Sequence, residues 1–237
     1  MQITPDQLRQ VVGLQHASDD DLHQVLANSL PRTVEESSYV FMQGDRADHL
    51  FILQAGQVKL LQANPRGQQV LLRTIHSWQM FGALGITREA ATYPVSAQAM
   101  IDSTVLAVKS AFFRDLAQSR PHLAMDVLGL MTAYVQEMQG RYRELATERV
   151  EQRVASALLR LASQLGKPAH DPARIDLAFS RQDLAEMTGT TLFTVSRLLS
   201  EWERQGIIEG GRGRIRILVP HELVRIADSA GSAPAVE

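Results

Sequence analysis

The spacing of apolar residues divides the chain into helical and extended parts. Near the start, Leu22 and Leu26 lie four positions apart on one side of a short amphipathic helix, which we expect to end at Pro31. From about residue 33 to residue 109 the pattern alternates with a period of two in short runs, which predicts β-strands. From residue 121 onward the spacing is mainly helical. The predicted fold class is therefore α+β, with most of the strands in the N-terminal half.

Turn-forming residues separate the predicted strands at regular intervals. The runs Leu50–Leu53 and Val58–Leu61, for example, flank a predicted turn at Gly56. Several short strands with regular turns are typical of an antiparallel β-barrel or jelly roll, which we assign to residues 1–120 as a sensor domain. Within it, the segment 80–99 breaks the pattern with a short helix bracketed by glycines. Because helix N-termini bind anions, this segment is a candidate effector cassette.

A long helix is predicted from residue 121 to residue 147. Pro121 suits the first helical position, and the apolar residues that follow come at alternating steps of three and four. That spacing is typical of a coiled-coil seam, so the segment is predicted to be a dimerisation helix. The alternative is a helix packed on its own barrel. The residues expected in the dimer interface are Val127, Met131, Tyr134, Met138 and Leu145.

Two short helices joined by a tight turn are predicted within residues 148–227. Ser180 is placed to cap the first helix, Gly189 supplies the turn, and Thr190 or Thr191 caps the second helix. The second helix has one apolar side and one polar side. A helix pair of this length is what a helix-turn-helix requires.

A basic β-hairpin is predicted directly after the second helix. Ile215 and Ile217 alternate with arginines, and Gly210-Gly211 is the predicted turn. Helix, turn, helix and hairpin in this order indicate a winged helix, whose second helix enters a DNA major groove. Arg197 could read guanine O6 and N7, and the wing arginines lie where phosphates pass unless they are ordinary solvated strand residues. The candidate DNA-binding residues are Thr191, Phe193, Ser196, Arg197, Ser200, Arg212 and Arg214.

Composition excludes several classes of site. The 237 residues include no cysteine, which excludes disulfides, cysteine-bound zinc and thiolate-bound iron–sulfur clusters. The formal net charge is -2, so affinity for DNA must come from a local basic surface. Without a long apolar run or a signal-peptide pattern, we expect a cytoplasmic protein that does not span a membrane. Residues 228–237 are rich in Ala, Ser, Gly and Pro and are predicted to be a mobile tail.

The order of these parts resembles the CRP/FNR superfamily of bacterial transcription regulators. FMQGDRADHLFILQAGQVKLL, with Gly44 and Gly56, resembles the family's barrel signature, MFGALG its cassette start and TVSRLL its recognition helix. The resemblance implies a non-enzymatic regulator that binds a palindromic site on double-stranded DNA as a homodimer, with RNA polymerase as a further partner. It also implies that Phe193, Ser196 and Arg197 read bases. The family usually has glutamate where this chain has Phe193, which can instead touch a thymine methyl group.

The cassette departs from that of the cyclic-AMP-binding members of the family. Those members carry a glutamate for the ribose and an Arg-Ser pair for the phosphate, and the matching positions here are Ala83, Tyr93 and Pro94. Because the carboxylate, the cation and the hydroxyl are all missing, cyclic AMP is not expected to bind in the family's usual way. Arg88 is the one arginine left in the cassette, at a position that does not match the motif. The effector-cassette residues are Phe81, Gly82, Ala83, Leu84, Gly85, Arg88, Tyr93, Pro94, Val95 and Ser96.

Three alternatives stay open from the sequence. One is a haem-dependent regulator that responds to nitric oxide or redox state, because TYPVSAQA resembles the cassette of nitrogen-oxide-responsive relatives, some of which use haem. The candidate haem ligands are His16, His23, His49, His76, His122, His170 and His221. A cupin-type barrel enzyme would need histidines and a carboxylate clustered on strands, but the histidines of the predicted barrel are isolated, so no metal site is expected. The third is a ligand-binding regulatory subunit of another protein.

Overall fold

The computed structural model describes residues 3–65, 69–165, 167–168, 175–177, 179–211 and 214–229. It consists of two compact units, residues 1–137 and 138–237, which are described separately below. The boundary falls within the long helix Pro121–Thr147, which begins at the proline that the sequence predicted. No helix in the described part of the chain is long and apolar enough to cross a bilayer.

The first unit contains one six-stranded antiparallel sheet. Its strands are β1 Ser29–Val34, β2 Tyr39–Phe41, β3 His49–Ala63, β4 Gln69–Ile75, β5 Met80–Phe81 and β6 Ser96–Lys109. They are ordered β1-β6-β3-β4, with β2 also paired to β6 and β5 to β3. The two long strands β3 and β6 pair along their length with several register shifts, which bend the sheet. The antiparallel sheet predicted from the alternating pattern is confirmed.

Five helices accompany this sheet in the described part of the unit. They are α1 Pro5–Leu8, α2 Asp19–Ala27, α3 Leu84–Thr87, α4 Ser110–Ser119 and α5 Pro121–Thr147. One apolar cluster packs the helices against the sheet, with Leu22, Phe113 and Leu123 fully buried in it. A second cluster fills the inside of the curved sheet, and Phe41, Phe51 and other aromatic residues contribute to it. The cassette therefore lies between two well-packed regions.

Three expectations for this unit were wrong in detail. The first amphipathic helix ends at Ala27, and Pro31 lies in the edge strand β1, where a residue without an N–H is tolerated. The runs Leu50–Leu53 and Val58–Leu61 belong to one strand, and Gly56 lies at a register shift within it. Helix α4, between the sheet and the long helix, was not predicted.

A buried carboxylate fixes the junction between α4 and α5. The side chain of Asp21 is completely buried, yet it is bonded to Arg120 Nε at 2.9 Å, His122 Nε2 at 3.1 Å and Ser18 Oγ at 2.7 Å. Burial raises the pKa of Asp21, but the hydrogen bonds from Ser18, Arg120 and His122 outweigh burial and lower it to about 2. Asp21 is therefore ionised at neutral pH and holds the start of the long helix to α2.

The second unit is a small helical domain with a four-stranded antiparallel sheet. Its elements after α5 are α6 Val150–Leu165, β7 Lys167–Pro168, β8 Ile175–Leu177, α7 Arg181–Thr188, α8 Leu192–Arg204, β9 Ile208–Gly211, β10 Arg214–Ile217 and α9 Pro220–Ala227. The strand order is β7-β8-β10-β9. Leu158, Leu184, Trp202 and Leu223 are among the residues buried in its core. The arrangement is the predicted winged helix-turn-helix.

The hairpin differs from the prediction in the position of its turn. Gly210 and Gly211 belong to β9, and Gly211 pairs with Arg214, so the strands are joined by residues 212–213. Those two residues, which include Arg212, lie outside the described residues, as does most of the predicted tail, 230–237.

Candidate DNA-binding surface and effector cassette

Local caps and a glycine turn build the helix-turn-helix. The Ser180 hydroxyl accepts from the Asp183 N–H at 3.1 Å, and the Asp183 carboxylate accepts from the Ser180 N–H at 3.2 Å, which completes a capping box for α7. Gly189 ends α7 in the left-handed region with a φ of 62°. Thr191 then caps α8, because its hydroxyl accepts from the Thr194 N–H at 3.2 Å. The predicted caps are confirmed, and Thr191 rather than Thr190 is the cap.

Helix α8 has one buried face and one exposed face. Val195, Leu199 and Trp202 are buried against the rest of the unit. On the opposite side, Phe193 is 78% exposed, an unusual position for a large apolar side chain. Arg197 is exposed and has no hydrogen-bond or ion-pair partner among the described residues.

The other predicted residues on α8 follow the same division. Thr191 and Ser200 are exposed, and Ser196 is half-buried. Leu192, which the sequence reasoning missed, is 46% exposed beside Phe193. An apolar residue such as leucine suggests burial, but the buried face of α8 is the one that carries Val195, Leu199 and Trp202, and Leu192 lies outside it. The surface formed by Leu192, Phe193, Ser196, Arg197 and Ser200 is called the α8 outer face below.

The wing arginines differ in their availability to a ligand. Arg214 is exposed at the start of β10, whereas Arg216 donates to Glu209 at 2.9 Å across the hairpin. Near the end of α8, Arg204 is paired with Glu201. Among the arginines of the described residues that were predicted to contact phosphates, Arg214 can therefore bind a phosphate without first breaking an ion pair.

The predicted dimer seam lies partly in the core of its own unit. Val127 is 9% exposed and packs with Leu123 and Leu130, so it is not available to a partner chain. Tyr134 is half-buried, with the Arg73 guanidinium 5.8 Å from its ring centre. Val127 is therefore taken up by the core of its own unit, whereas a place for Tyr134 in a dimer interface stays a prediction.

Other apolar side chains of α5 are exposed. In the first unit these include Leu128, Met131 and Val135, and in the second unit Tyr142 and Leu145. Met138, between them, is half-buried. From Leu128 to Leu145 these six positions follow steps of three and four, the spacing of a coiled-coil seam. Met131, Met138 and Leu145 belong to both the predicted seam and this exposed one.

Four aromatic rings occupy the inside of the barrel next to the cassette. The Tyr93 ring stacks on Phe41 with ring centres 3.8 Å apart, and Phe51 and Phe81 stack around the same Phe41 ring. The Tyr93 hydroxyl donates to the His49 carbonyl at 2.6 Å. Burial raises the pKa of Tyr93 to about 12, so the ring stays neutral. These four residues are called the ring cluster.

The cassette residues divide between the ring cluster and the surface. Gly82 has a φ of 70°, and a side chain there would meet the rings of Phe41, Phe51 and Tyr93 at 3.2–3.3 Å. Ala83 is buried nearby in the core of the unit. Leu84, Arg88 and Pro94 are exposed, whereas Gly85 is buried. Val95 packs on the apolar cluster inside the sheet, and the Ser96 hydroxyl accepts from the Gln43 N–H.

Two domain families match the chain in this order. The Cyclic nucleotide-binding domain model matches residues 31–120, and the Crp-like helix-turn-helix domain model matches residues 152–226. Together the two models cover more than half of the chain. The chain belongs to the CRP/FNR family of transcription regulators.

Curated relatives of this CRP/FNR regulator are transcriptional regulators. The chain is 26% identical to the Anaerobic regulatory protein of Bacillus subtilis over 79% of both chains. It is 27% identical to the Global nitrogen regulator of Synechococcus elongatus over 82% of this chain and 89% of that protein. Among solved structures, FixK2 from Bradyrhizobium japonicum is similar in fold, with a TM-score of 0.74, 21% identity, and coverage of 86% of this chain and 99% of that chain.

The histidines of the regulator are dispersed. His16 bonds Asp126, His23 the Asp19 carbonyl, and His122 the buried Asp21. His76 lies 3.2 Å from the Thr74 hydroxyl, His221 lies 3.8 Å from Glu222, and His49 lines a cavity at the start of α4. His170 lies outside the described residues. His23 also lines a cavity whose other walls include Ile3, Leu26 and Leu106, and no cluster of three metal-binding side chains occurs among the described residues.

Proposed function

We propose that this regulator binds double-stranded DNA as a homodimer through α8, under the control of a small effector other than cyclic AMP. The observation that supports it is the division of α8, which buries Val195, Leu199 and Trp202 while Phe193 and Arg197 stay exposed. A helix anchored by one face and free on the other can enter a major groove. No catalytic role is proposed, and the site of action is the cytoplasm, with RNA polymerase as a partner.

The α8 outer face presents two different chemistries to base edges. The unpaired Arg197 fork can donate two hydrogen bonds to guanine O6 and N7. The exposed ring of Phe193 accepts no hydrogen bond from cytosine but can contact the methyl group of thymine. Ser196 and Ser200 can donate to either bases or phosphates. We therefore expect a half-site that contains a guanine with a thymine close to it.

The exposed seam of α5 supports the dimer. Apolar side chains at coiled-coil spacing, such as Leu128, Val135 and Tyr142, are costly to leave in water and are covered when a second α5 packs beside the first. A two-fold pair of regulators places two recognition helices about 34 Å apart, which matches one turn of DNA. The site is then a palindrome with half-sites one turn apart.

The ring cluster supports control by something other than cyclic AMP. Tyr93 stands where cyclic-AMP-binding members carry a cation, and its ring fills space next to Phe41. Ala83 replaces the ribose-binding carboxylate. Haem-dependent control remains the alternative that the sequence suggested. Haem-dependent control predicts a Soret band when haem is added to the purified protein. Control by an effector other than cyclic AMP would be contradicted by calorimetric binding of cyclic AMP to the cassette.

Selection of bound DNA from a random pool tests the proposal. We expect enrichment of palindromes with a guanine in each half-site, and loss of that guanine preference in Arg197→Ala. Arg225→Ala is the matched control, because Arg225 is exposed on α9 and paired with Glu222. Enrichment of no sequence, or of sites without two-fold symmetry, would contradict the proposal.

A further inference from the structure

A cavity of about 410 Å³ lies between the cassette and the start of α4. Its walls come from the loop before β3, from the end of the cassette helix α3, and from the first residues of α4. The residues that line it are Arg46, Ala47, Asp48, His49, Gly85, Arg88, Glu89, Ala90, Lys109, Ser110, Ala111 and Arg114. This cavity is called the α4 pocket, and none of the four rings of the ring cluster lines it.

Cations outnumber carboxylates around the α4 pocket. Four of its side chains are Arg or Lys, and two are acidic. Glu89 is already bound to Arg114 at 3.2 Å, and Asp48 lies 3.5 Å from Arg46. Arg88 and Lys109 have no such partner in the described part of the chain. Two cations at one cavity without carboxylate partners leave a positive potential that an anion can neutralise.

The floor of the α4 pocket is rigid. Ser110 is 2% exposed, its hydroxyl donates to the Ala47 carbonyl at 2.8 Å, and its N–H donates to the Asp48 carbonyl at 2.8 Å. A side chain at Gly85 would lie 1.9 Å from the Ala47 carbonyl oxygen, so only glycine permits this close approach. A floor fixed in this way holds the backbone at the bottom of the pocket in place when a ligand binds.

Arg114 connects the pocket to both the cassette and α4. Its guanidinium donates to the Gly85 carbonyl at 2.7 Å and to the Ile86 carbonyl at 3.0 Å, while its backbone belongs to α4. The C-terminal end of α4 reaches Arg120, which binds Asp21 beside the start of α5. One short helix therefore joins the wall of the pocket to the beginning of the long helix.

We propose that the α4 pocket binds a phosphate-bearing small molecule. A phosphate group carries up to two negative charges, which match the two unpaired cations, and it accepts hydrogen bonds from arginine in a bidentate manner. The volume exceeds that of a single phosphate ion and falls within the range of small-ligand sites. The inference deepens the proposed function, since it gives the chemical class of the effector, but binding to the pocket can be tested without DNA.

Calorimetric titration of the full chain with pyrophosphate at constant ionic strength tests the proposal. We expect saturable binding by the wild type, and affinity at least about tenfold weaker in the double variant Arg88→Ala/Lys109→Ala. Arg143→Ala/Arg225→Ala is the matched control, because it removes the same charge from exposed positions of the other unit and should leave binding unchanged.

Two results would overturn the proposal. One is the absence of saturable pyrophosphate binding by the wild type. The other is an equal loss of affinity in the Arg88/Lys109 variant and in the Arg143/Arg225 control, which would indicate nonspecific attraction. Circular dichroism on each variant checks the fold. Failure of the wild type to bind any DNA while it still binds pyrophosphate would contradict the proposed function and leave the α4 pocket assignment intact.

Discussion

Replacement of the buried Asp21 by asparagine should produce a stability loss that depends on pH. Asp21→Asn keeps the size of the side chain and removes its charge, which takes the buried carboxylate from Arg120 and His122 and leaves Arg120 only the exposed Asp20, 3.6 Å away. The folded-state pKa of Asp21 is lowered from 3.8 to about 2. At about 1.36 kcal/mol per pKa unit, that difference corresponds to roughly 2 kcal/mol of folding stability when the group is ionised.

The sign of the pH dependence follows from the direction of this shift. Because the folded pKa lies below the unfolded pKa, the unfolded chain takes up the proton first as the pH falls. The stabilisation from Asp21 is therefore fully present above the unfolded value of 3.8 and is lost as the pH falls towards 2. At neutral pH we expect Asp21→Asn to be less stable than wild type by about 2 kcal/mol, since the variant loses the ionised carboxylate that the hydrogen bonds from Ser18, Arg120 and His122 stabilise.

Urea denaturation at a series of pH values measures this effect. The difference in the free energy of unfolding between wild type and Asp21→Asn should be constant from pH 7 to about pH 5 and should narrow towards pH 3. Asp20→Asn is the comparison variant, because its carboxylate lies on the same helix turn and 3.6 Å from the same Arg120 but is 70% exposed, so its removal should cost less than about 1 kcal/mol. A difference that stays the same from pH 7 to pH 3 would refute the reasoning that the charge of Asp21 carries the stabilisation.

Three further predictions concern DNA binding and assembly. Arg197→Ala should weaken binding to the selected site by about 1–3 kcal/mol and relax the preference at one base position. Arg214→Ala should instead weaken binding to all sequences about equally and reduce the slope of affinity against salt concentration. Titrations of both variants at several salt concentrations separate the two effects, and identical behaviour would contradict this division of roles. Phe193→Glu should change the preferred base at the position that residue 193 contacts from thymine to cytosine, because glutamate accepts a hydrogen bond from cytosine N4. A repeated selection measures this change, and an unchanged site would exclude Phe193 from base reading. Val135→Glu should convert the dimer to a monomer in analytical ultracentrifugation because it places two like charges in the exposed seam, and a persistent dimer would place the interface elsewhere.

Features that depend on a few neighbouring residues were predictable from sequence. The capping box of Ser180 and Asp183 spans three positions, and the left-handed turn at Gly189 depends on its own backbone. Thr191 caps α8 through a contact with Thr194. In each of these cases the energetic preference is local, so the pattern of residue types is sufficient to predict the structure.

Features that depend on distant residues were not predictable in the same way. Gly56 reads as a turn, but it lies in a continuous strand because its backbone packs directly against Ser103, and a side chain there would lie 2.6 Å from the Ser103 Cα atom. On α5, a seam through Val127 and a seam through Leu128 have the same spacing. Packing with Leu123 and Leu130, in a cluster that includes residues from distant parts of the chain, buries Val127 and leaves Leu128 exposed.

The α4 pocket could not have been found from spacing. Its floor brings together Ala47, Gly85 and Ser110, which are far apart in sequence and belong to the loop before β3, to α3 and to α4. The sequence did single out Arg88 as a cation at a position that the family's motif does not use. Only the fold places that cation at a cavity beside Lys109, a residue that no motif indicated.

The ring cluster and the α4 pocket together explain why the effector should be sought outside the barrel interior. A cyclic nucleotide in the family's usual place would have to displace Tyr93, whose ring packs 3.8 Å from Phe41 and whose hydroxyl is bonded to the His49 carbonyl. Displacement would lose that packing and leave a buried polar group unsatisfied, without any arginine or glutamate to compensate it. An anion in the α4 pocket displaces no ring and meets cations that lack partners. Because aromatic side chains fill the inside of the barrel, we expect effector recognition on the cassette's other side, where Arg88 is.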